Sequence, residues 1–329
     1  MPTSKAPALA IDARRLTKMY AAGRGKEPVR ALGGLTLAVQ RGQVFGLLGP
    51  NGAGKSTTVR ILATLARQDG GEALVDGLDV RRDPGAVRRR IGLVPQRSCS
   101  DPVATGRENL VLAGRLQGLG GRDARRRADE LLERFGFSED GGRQAKTYSG
   151  GMARKLDVAI GLVHRPSVLF LDEPTTGLDP QARSEMWREI ERLAAQERMT
   201  VLLTTHYLDE ADHLAERLAI IDHGRVVTEG TPDELKRELA GDTVAVDLDD
   251  SDAASIVAQR ISTIDGLSGI TTEGRTVRAR AVHGARAVPL VLARLEQAGI
   301  PVASATVSRP SLDDVYLAHA GRTFEGATR

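Results

Sequence analysis

One cysteine, Cys99, stands in the 329 residues, which excludes an intramolecular disulfide and any cysteine-based zinc module and suits a reducing compartment. Aromatics make up only 3% of the chain, so the runs Arg81-Arg82, Arg88-Arg89-Arg90 and Arg125-Arg126-Arg127 have few rings beside them on which bases could stack. They read as solvated helix faces, and no nucleic-acid partner is expected. Net charge is also small, since Lys+Arg 46 against Asp+Glu 43 leaves +3. Nowhere do about eighteen apolar residues run together, and the opening MPTSKAPALAIDARR has no stretch of about seven apolar residues before Asp12. Neither a bilayer span nor a secretory signal is expected, so work at a membrane would need another chain to supply the span. What remains, 41% apolar and 27% charged residues, describes a soluble globular protein with one large domain and a smaller one.

The chain is organised around Gly49-Pro50-Asn51-Gly52-Ala53-Gly54-Lys55-Ser56-Thr57, which follows the apolar run Val44-Phe45-Gly46-Leu47-Leu48. Glycines at 49, 52 and 54 permit turns closed to residues with a Cβ, so successive N–H groups can point inward at an anion. Lys55 adds positive charge for the β- and γ-phosphates and Ser56 a hydroxyl for Mg²⁺. The helix expected from Thr57 to about Arg67 adds a positive dipole end. Before this loop, Ala8–Ile11 and Leu35–Val39 read as short strands separated by turns at Gly23, Gly25, Pro28, Gly33 and Gly34. After it, helices alternate with the apolar runs Ile91–Val94, Val168–Leu171, Val201–Leu203 and Leu218–Ile221, the mark of a parallel sheet buried on both faces.

A mostly helical insertion is expected at about 97–148. Thr105-Gly106-Arg107-Glu108 has capping-box form, and a second helix is expected at about Asp123–Phe135. Beyond Gly241 the order strand, helix, two strands, helix, strand suggests a ferredoxin-like domain over 242–329. Its histidines, His283 and His319, stand isolated.

Two further stretches carry chemistry. Val168–Leu171 delivers Asp172 and then Glu173, and a buried strand that brings a carboxylate beside a phosphate loop is a means of holding Mg²⁺. Because successive strand residues point opposite ways, Glu173 is free to face an attacking water as general base. Ser149-Gly150-Gly151 precedes a strongly periodic helix with Leu156, Ala159, Ile160 and Val163 on one side. Ser149 can cap that helix while the glycines bare its N–H groups to an anion.

In combination these residues resemble an ATP-binding-cassette nucleotide-binding subunit over about 5–235, a P-loop NTPase cassette with an N-terminal β lobe and helical insertion. Gly49–Thr57 matches the family's Walker A motif, Val168–Asp172 Walker B, and Tyr148–Met152 the signature. Gln96 matches the Q-loop, Gly177-Leu178-Asp179 the D-loop, Thr204-Thr205-His206 the switch histidine, and Tyr20 the aromatic that stacks on adenine. The resemblance implies ATP hydrolysis with Glu173, His206 and Lys55 as catalytic residues. ATP would be bound by Tyr20, Gly49, Asn51, Gly52, Ala53, Gly54, Lys55, Ser56, Thr57 and Gln96, with Ser149, Gly150, Gly151 and Asp179 also in the site. Ser56, Gln96 and Asp172 would hold Mg²⁺.

In this family ATP is sandwiched between Walker A of one subunit and the signature of another. With one set of motifs present, the resemblance implies a homodimer or a pairing with a sister subunit. Tyr148 and Met152 stand where the family has Leu and Gln, but the Ser-Gly-Gly core is intact. Tyr148–Met152, Thr105–Leu110, Pro174–Pro180 and Ser311–Tyr316 resemble, more narrowly, the daunorubicin-resistance type of bacterial drug-efflux ATPase. That implies an appended C-terminal domain, a separate integral membrane permease, and a cytoplasmic place on the membrane face. A soluble cassette ATPase acting on nucleic acid or ribosomes is the alternative. Such relatives usually carry zinc modules, long coiled-coil insertions or two cassettes, none of which is visible.

Overall fold

The protein was analysed as a computed structural model, which describes residues 9–21, 27–239, 241–250 and 253–320. Ala8, Gly23, Gly25 and the end of the expected C-terminal domain lie outside the described residues. The chain forms two compact units that meet in sequence at Pro232/Asp233.

In the first unit, strands β1 (Leu9–Tyr20) and β2 (Val29–Gln40) are antiparallel and far longer than the apolar runs suggest. Register shifts along their pairing let the ladder continue through polar and glycine positions. Strand β3 (Val44–Leu48) is wholly buried and leads through the glycine loop into helix α1 (Lys55–Leu62). That helix begins at Lys55 and stops at Leu62, short of the expected Arg67. Leu65 beyond it is 61% exposed. Strands β4 (Gly70–Val75) and β5 (Leu78–Asp79) then return to the β lobe, giving the antiparallel order β2-β1-β4-β5.

Helix α2 (Pro84–Arg90) and strand β6 (Ile91–Val94) lead to the insertion, which holds α3 (Gly106–Leu116) and α4 (Gly121–Arg134). Thr105 caps α3: its hydroxyl accepts from Glu108 N while Glu108 Oε2 accepts from Thr105 N at 2.8 Å. Arg127 departs from the expected solvated face. It donates through Nε to Val163 O and through Nη2 to Leu162 O, closing the C-terminal end of α5 (Gly150–Gly161) where a cation is favoured.

Strand β7 (Val168–Asp172), helix α6 (Pro180–Glu197), strand β8 (Thr200–Thr205), helix α7 (Leu208–Leu214) and the hairpin β9 (Arg217–Asp222) and β10 (Arg225–Gly230) complete the unit. Its main sheet has the order β10-β9-β3-β8-β7-β6, parallel throughout except for the β9–β10 hairpin. One core, including Phe45, Leu47, Phe170 and Leu202, lies on the side shared with the β lobe and α1; another, including Leu156, Leu169, Leu171 and Ile190, lies under α5 and α6. Burying each such side chain contributes about 1.5–3 kcal/mol.

The second unit opens with α8 (Pro232–Glu238). It continues as β11 (Asp242–Leu248), α9 (Ala254–Ile261), β12 (Leu267–Glu273), β13 (Thr276–Ala281), α10 (Gly284–Gln297), β14 (Val302–Ser308) and α11 (Leu312–Ala320). Its sheet order β12-β13-β11-β14 is antiparallel throughout, the ferredoxin-like arrangement. The alternation of buried Val244, Val246 and Leu248 along β11 puts one face over α9 and α10, whose Val257, Ile261, Val291 and Leu295 share the same core.

Candidate functional site

Adjacent parallel strands end side by side, and in sheets of this kind loops at the carboxyl ends make the site. Leu48 pairs with Thr205, Asp172 with Thr204, and Val94 with Leu171. This register delivers the glycine loop, His206, the Asp172-Glu173 pair and Gln96 to one edge, from strands β3, β8, β7 and β6.

The loop itself turns through left-handed backbone at Gly52 (φ 83°) and Gly54 (φ 108°). A Cβ on Gly54 would lie 2.7 Å from Ala31 O and 2.8 Å from a Leu32 methyl, so both conformation and space demand glycine. Asn51 and Gly52 are exposed, Ala53, Gly54 and Lys55 buried, and Ser56 and Thr57 half-buried. Lys55 Nζ donates to Gly49 O at 2.6 Å and to Pro50 O at 3.2 Å, and lies 3.5 Å from Glu173 Oε1. Burial pushes the Lys55 ammonium below its ordinary range, against the opposing pull of Glu173.

Asp172 and Glu173 are adjacent in sequence yet serve different partners. Asp172 Oδ1 accepts from Ser56 Oγ at 3.1 Å and from Thr204 Oγ1 at 2.6 Å. Thr204 Oγ1 in turn accepts from Glu173 N at 3.1 Å. Glu173 Oε2 accepts from Gln96 Nε2 at 2.8 Å and from Thr176 Oγ1 at 3.2 Å. His206 Nδ1 lies 3.2 Å from Glu173 Oε1, within ion-pairing distance but outside hydrogen-bond alignment.

The divergence of the two carboxylates has a different cause from strand alternation. Strand β7 ends at Asp172 and Glu173 turns into left-handed backbone at φ 50°, so the turn redirects its side chain. Glu173 is 6% exposed. Burial pushes its carboxyl up, but the His206 contact, the charges of His206 and Lys55, and the Thr176 bond together hold it below the ordinary value of 4.5.

The donor set suits a hard divalent cation. Ser56 and Asp172 offer hydroxyl and carboxylate oxygens at one point, and Mg²⁺ takes one or two such protein ligands together with phosphate oxygens and water. Among the described residues no cluster of three or more His, Cys, Asp or Glu side chains could make an all-protein cage.

Ser149, Gly150 and Gly151 are outside this bonded cluster. Ser149 caps α5, its Oγ accepting from Met152 N at 3.2 Å, and Ser149 and Gly150 are exposed. A Cβ on Gly151 would sit 2.9 Å from Ala182 Cβ, so the glycine allows α6 to pack close beneath. Tyr148 departs from leucine with a physical reason: its ring stacks on Phe137 at 5.4 Å and its hydroxyl donates to Asp140 O at 2.9 Å.

Asp179 is exposed and caps α6, its Oδ1 accepting from Ala182 N at 2.8 Å. Tyr20 sits at the end of β1, 36% exposed, with Lys18 Nζ 5.4 Å from its ring centroid. Three residues outside the expected catalytic, ATP-binding and Mg²⁺ set belong to the cluster or brace it: Thr204, Thr176 and the buried Arg154. Thr204 had a legible signal as a polar residue ending the apolar run Val201–Leu203.

Residues 32–176 match the family described as ABC transporter, and residues 230–320 match that described as ATP-binding protein DrrA1-3-like, C-terminal domain. The chain is 46% identical over 315 residues to the daunorubicin/doxorubicin resistance ATP-binding protein DrrA of Streptomyces peucetius, covering 96% of this chain and 93% of that one. It is 44% identical to the doxorubicin resistance ATP-binding protein DrrA of Mycobacterium tuberculosis, covering 94% and 93%. Among solved structures, a dimeric ATP-binding cassette bound to ADP and phosphate superposes with a TM-score of 0.61 at 27% identity, covering 67% of this chain and 98% of that one.

Proposed function

The chain belongs to the ATP-binding-cassette transporter ATPases, in their daunorubicin-resistance branch. From that premise we propose that it drives export of a drug-like or antibiotic molecule through a separate membrane permease. The protein is an ATPase. Among its described residues no helix is long and apolar enough to cross a membrane, so in this reading the permease supplies the span and the ATPase docks on its cytoplasmic face.

The observation that carries the proposal is the single hydrogen-bonded cluster joining Ser56, Asp172, Thr204, Glu173 and Gln96, with Lys55 and His206 against it. Lys55 and the loop N–H groups bind the phosphates. Glu173, held ionised, takes a proton from the attacking water, and His206 orients the carboxylate. Ser56 and Asp172, with Gln96 alongside, would hold Mg²⁺, which would neutralise charge on the transferring phosphoryl group. Tyr20 stacks on the base.

The Ser149–Gly151 end of α5, exposed at Ser149 and Gly150, faces the γ-phosphate of a second copy, as does Asp179, so ATP closes a homodimer and hydrolysis reopens it. In this scheme the cassette spans 5–235, the insertion at 97–148 contacts the permease, and 242–329 is an accessory module that stabilises the dimer or faces the permease. Glu173→Gln is expected to bind ATP normally, lose turnover more than a hundredfold and accumulate as an ATP-bound dimer on size exclusion. An unchanged hydrolysis rate removes Glu173 as the base. Coexpression with a candidate permease, followed by a drug-sensitivity assay, tests the export step.

A further inference from the structure

Arg154 is a buried cation whose principal hydrogen bonds are to main-chain carbonyls, although the chain offers acids nearby. It is 7% exposed. Nε donates to Pro174 O at 2.8 Å, Nη1 to Pro95 O at 2.6 Å, and Nη2 to Asp172 O at 3.1 Å and Glu173 O at 3.2 Å. These four carbonyls belong to two segments, the residue immediately before Gln96 and the end of β7 that carries both carboxylates. One turn on along α5, Asp157 is 1% exposed. Its Oδ1 accepts from Ser98 Oγ at 3.0 Å, Cys99 N at 3.0 Å and Cys99 Sγ at 3.3 Å, and its Oδ2 lies 3.8 Å from Arg154 Nη1. A planar guanidinium presents five donors in a fixed fork, and a buried charge is tolerated only where such donors are satisfied.

We propose that Arg154, with Asp157, is a positioning residue that locks α5 to the Gln96 segment and to the Glu173 end of β7, so that all three shift as one body. Ser149 caps the same helix, five residues before Arg154 and about 7–8 Å away along its axis. A displacement of α5 by an ångström lengthens bonds to both segments at once. The consequence rests on the shared-site reading given above: each copy's own carboxylate and glutamine are tied rigidly to the Ser149 end that completes the other copy's site. The two ATP sites are therefore coupled through one guanidinium in each chain.

The test uses the full-length chain with Glu173→Gln, so that the ATP-bound dimer accumulates. Arg154→Lys and Asp157→Asn are added to it separately. Lysine keeps the charge but places its donors on one atom that cannot span both segments; asparagine keeps the shape and weakens the hold on Ser98 and Cys99. Trinitrophenyl-ATP binding to the monomer and the ATP concentration at half-maximal dimer, read by sedimentation velocity, are measured on each.

The expected result is a dimer midpoint raised tenfold or more while monomer affinity stays within threefold of the Glu173→Gln parent. Should Arg154→Lys fail to bind nucleotide through misfolding, Asp157→Asn alone decides. Midpoints within twofold of the parent in both variants overturn the coupling and leave the shared site standing. Monomer affinity lost tenfold in both assigns Arg154 a local role and also overturns it. If the Glu173→Gln parent stays monomeric at saturating ATP, the shared site itself fails and the coupling falls with it.

Discussion

Gln96 Nε2 donates a 2.8 Å hydrogen bond to Glu173 Oε2, across the gap between the ends of β6 and β7. Together with Thr176, this exposed amide orients the buried carboxylate proposed above as the base. A hydrogen bond to a charged group contributes about 1.5–3 kcal/mol, and solvent access at Gln96 favours the lower end.

Gln96→Ala is therefore expected to lower kcat roughly tenfold, since about 1.4 kcal/mol of lost orientation is tenfold in rate. Affinity for ATP without Mg²⁺ should stay within about threefold, because Lys55 and the loop are untouched. Steady-state hydrolysis beside a nucleotide titration reads both, and a kcat within twofold of wild type would sink the orienting role.

The pH profile follows from Glu173. Its carboxyl is held below 4.5 in the folded chain, so the proposed base is ionised above that value. The same depression means its contribution to stability is present above 4.5 and is lost as pH falls through the folded value. The acidic limb of kcat/KM that depends on Glu173 should accordingly lie below pH 4.5. A limb near neutrality, abolished in Glu173→Gln, would contradict this.

Glu210 titrates in the opposite sense. It is fully buried, accepts from Thr175 Oγ1 at 2.7 Å and Trp187 Nε1 at 3.3 Å, and its Oε2 has no hydrogen-bond partner. Burial raises its carboxyl above 4.5 against the opposing pull of the Thr205, Thr175 and Trp187 side chains and the charge of Arg183. Between pH 4.5 and the folded value, the folded chain therefore holds a proton that the unfolded chain releases. Stability from this group is complete below pH 4.5 and declines as pH rises through the folded value. Glu210→Gln, which mimics the protonated form, should melt higher than wild type at about pH 8, with the gap closing toward about pH 5. Melting curves across that range decide it, and a constant gap at every pH would refute it.

Gly106 makes room for Tyr148. A Cβ on Gly106 would collide with the Tyr148 hydroxyl, the group that replaces the family's leucine at the start of the signature. Gly106→Ala should cost about 1–3 kcal/mol by overpacking, and Tyr148→Phe added to it should recover most of that. Urea unfolding of the pair of variants measures the effect, and a loss not relieved by the second substitution would point elsewhere.

The parallel sheet was legible because Ile91–Val94, Val168–Leu171, Val201–Leu203 and Leu218–Ile221 are unbroken apolar runs, the pattern of strands buried on both faces. Strands β4 and β10 were not legible. Gly70-Gly71-Glu72 and Arg225 to Gly230 carry glycine and charge, and only pairing with Thr17 through Ile11 and with Leu218 through Asp222 makes them strands. The family's motif residues were readable one by one, whereas Arg154 beside Lys155 looks in sequence like any solvated basic pair. Its role comes from tertiary contacts with Pro95 and Pro174, far along the chain, and no local pattern encodes them.

Glu173 occupies left-handed backbone, which disfavours a side chain with a Cβ by about 1–2 kcal/mol and suits glycine. Glycine at 173 would relax the turn and delete the proposed base in the same stroke. A lineage or a library selected for robustness alone therefore has a downhill path to an inert cassette at this position. Under the proposed mechanism, the strain at this turn accompanies the one carboxylate that turnover requires.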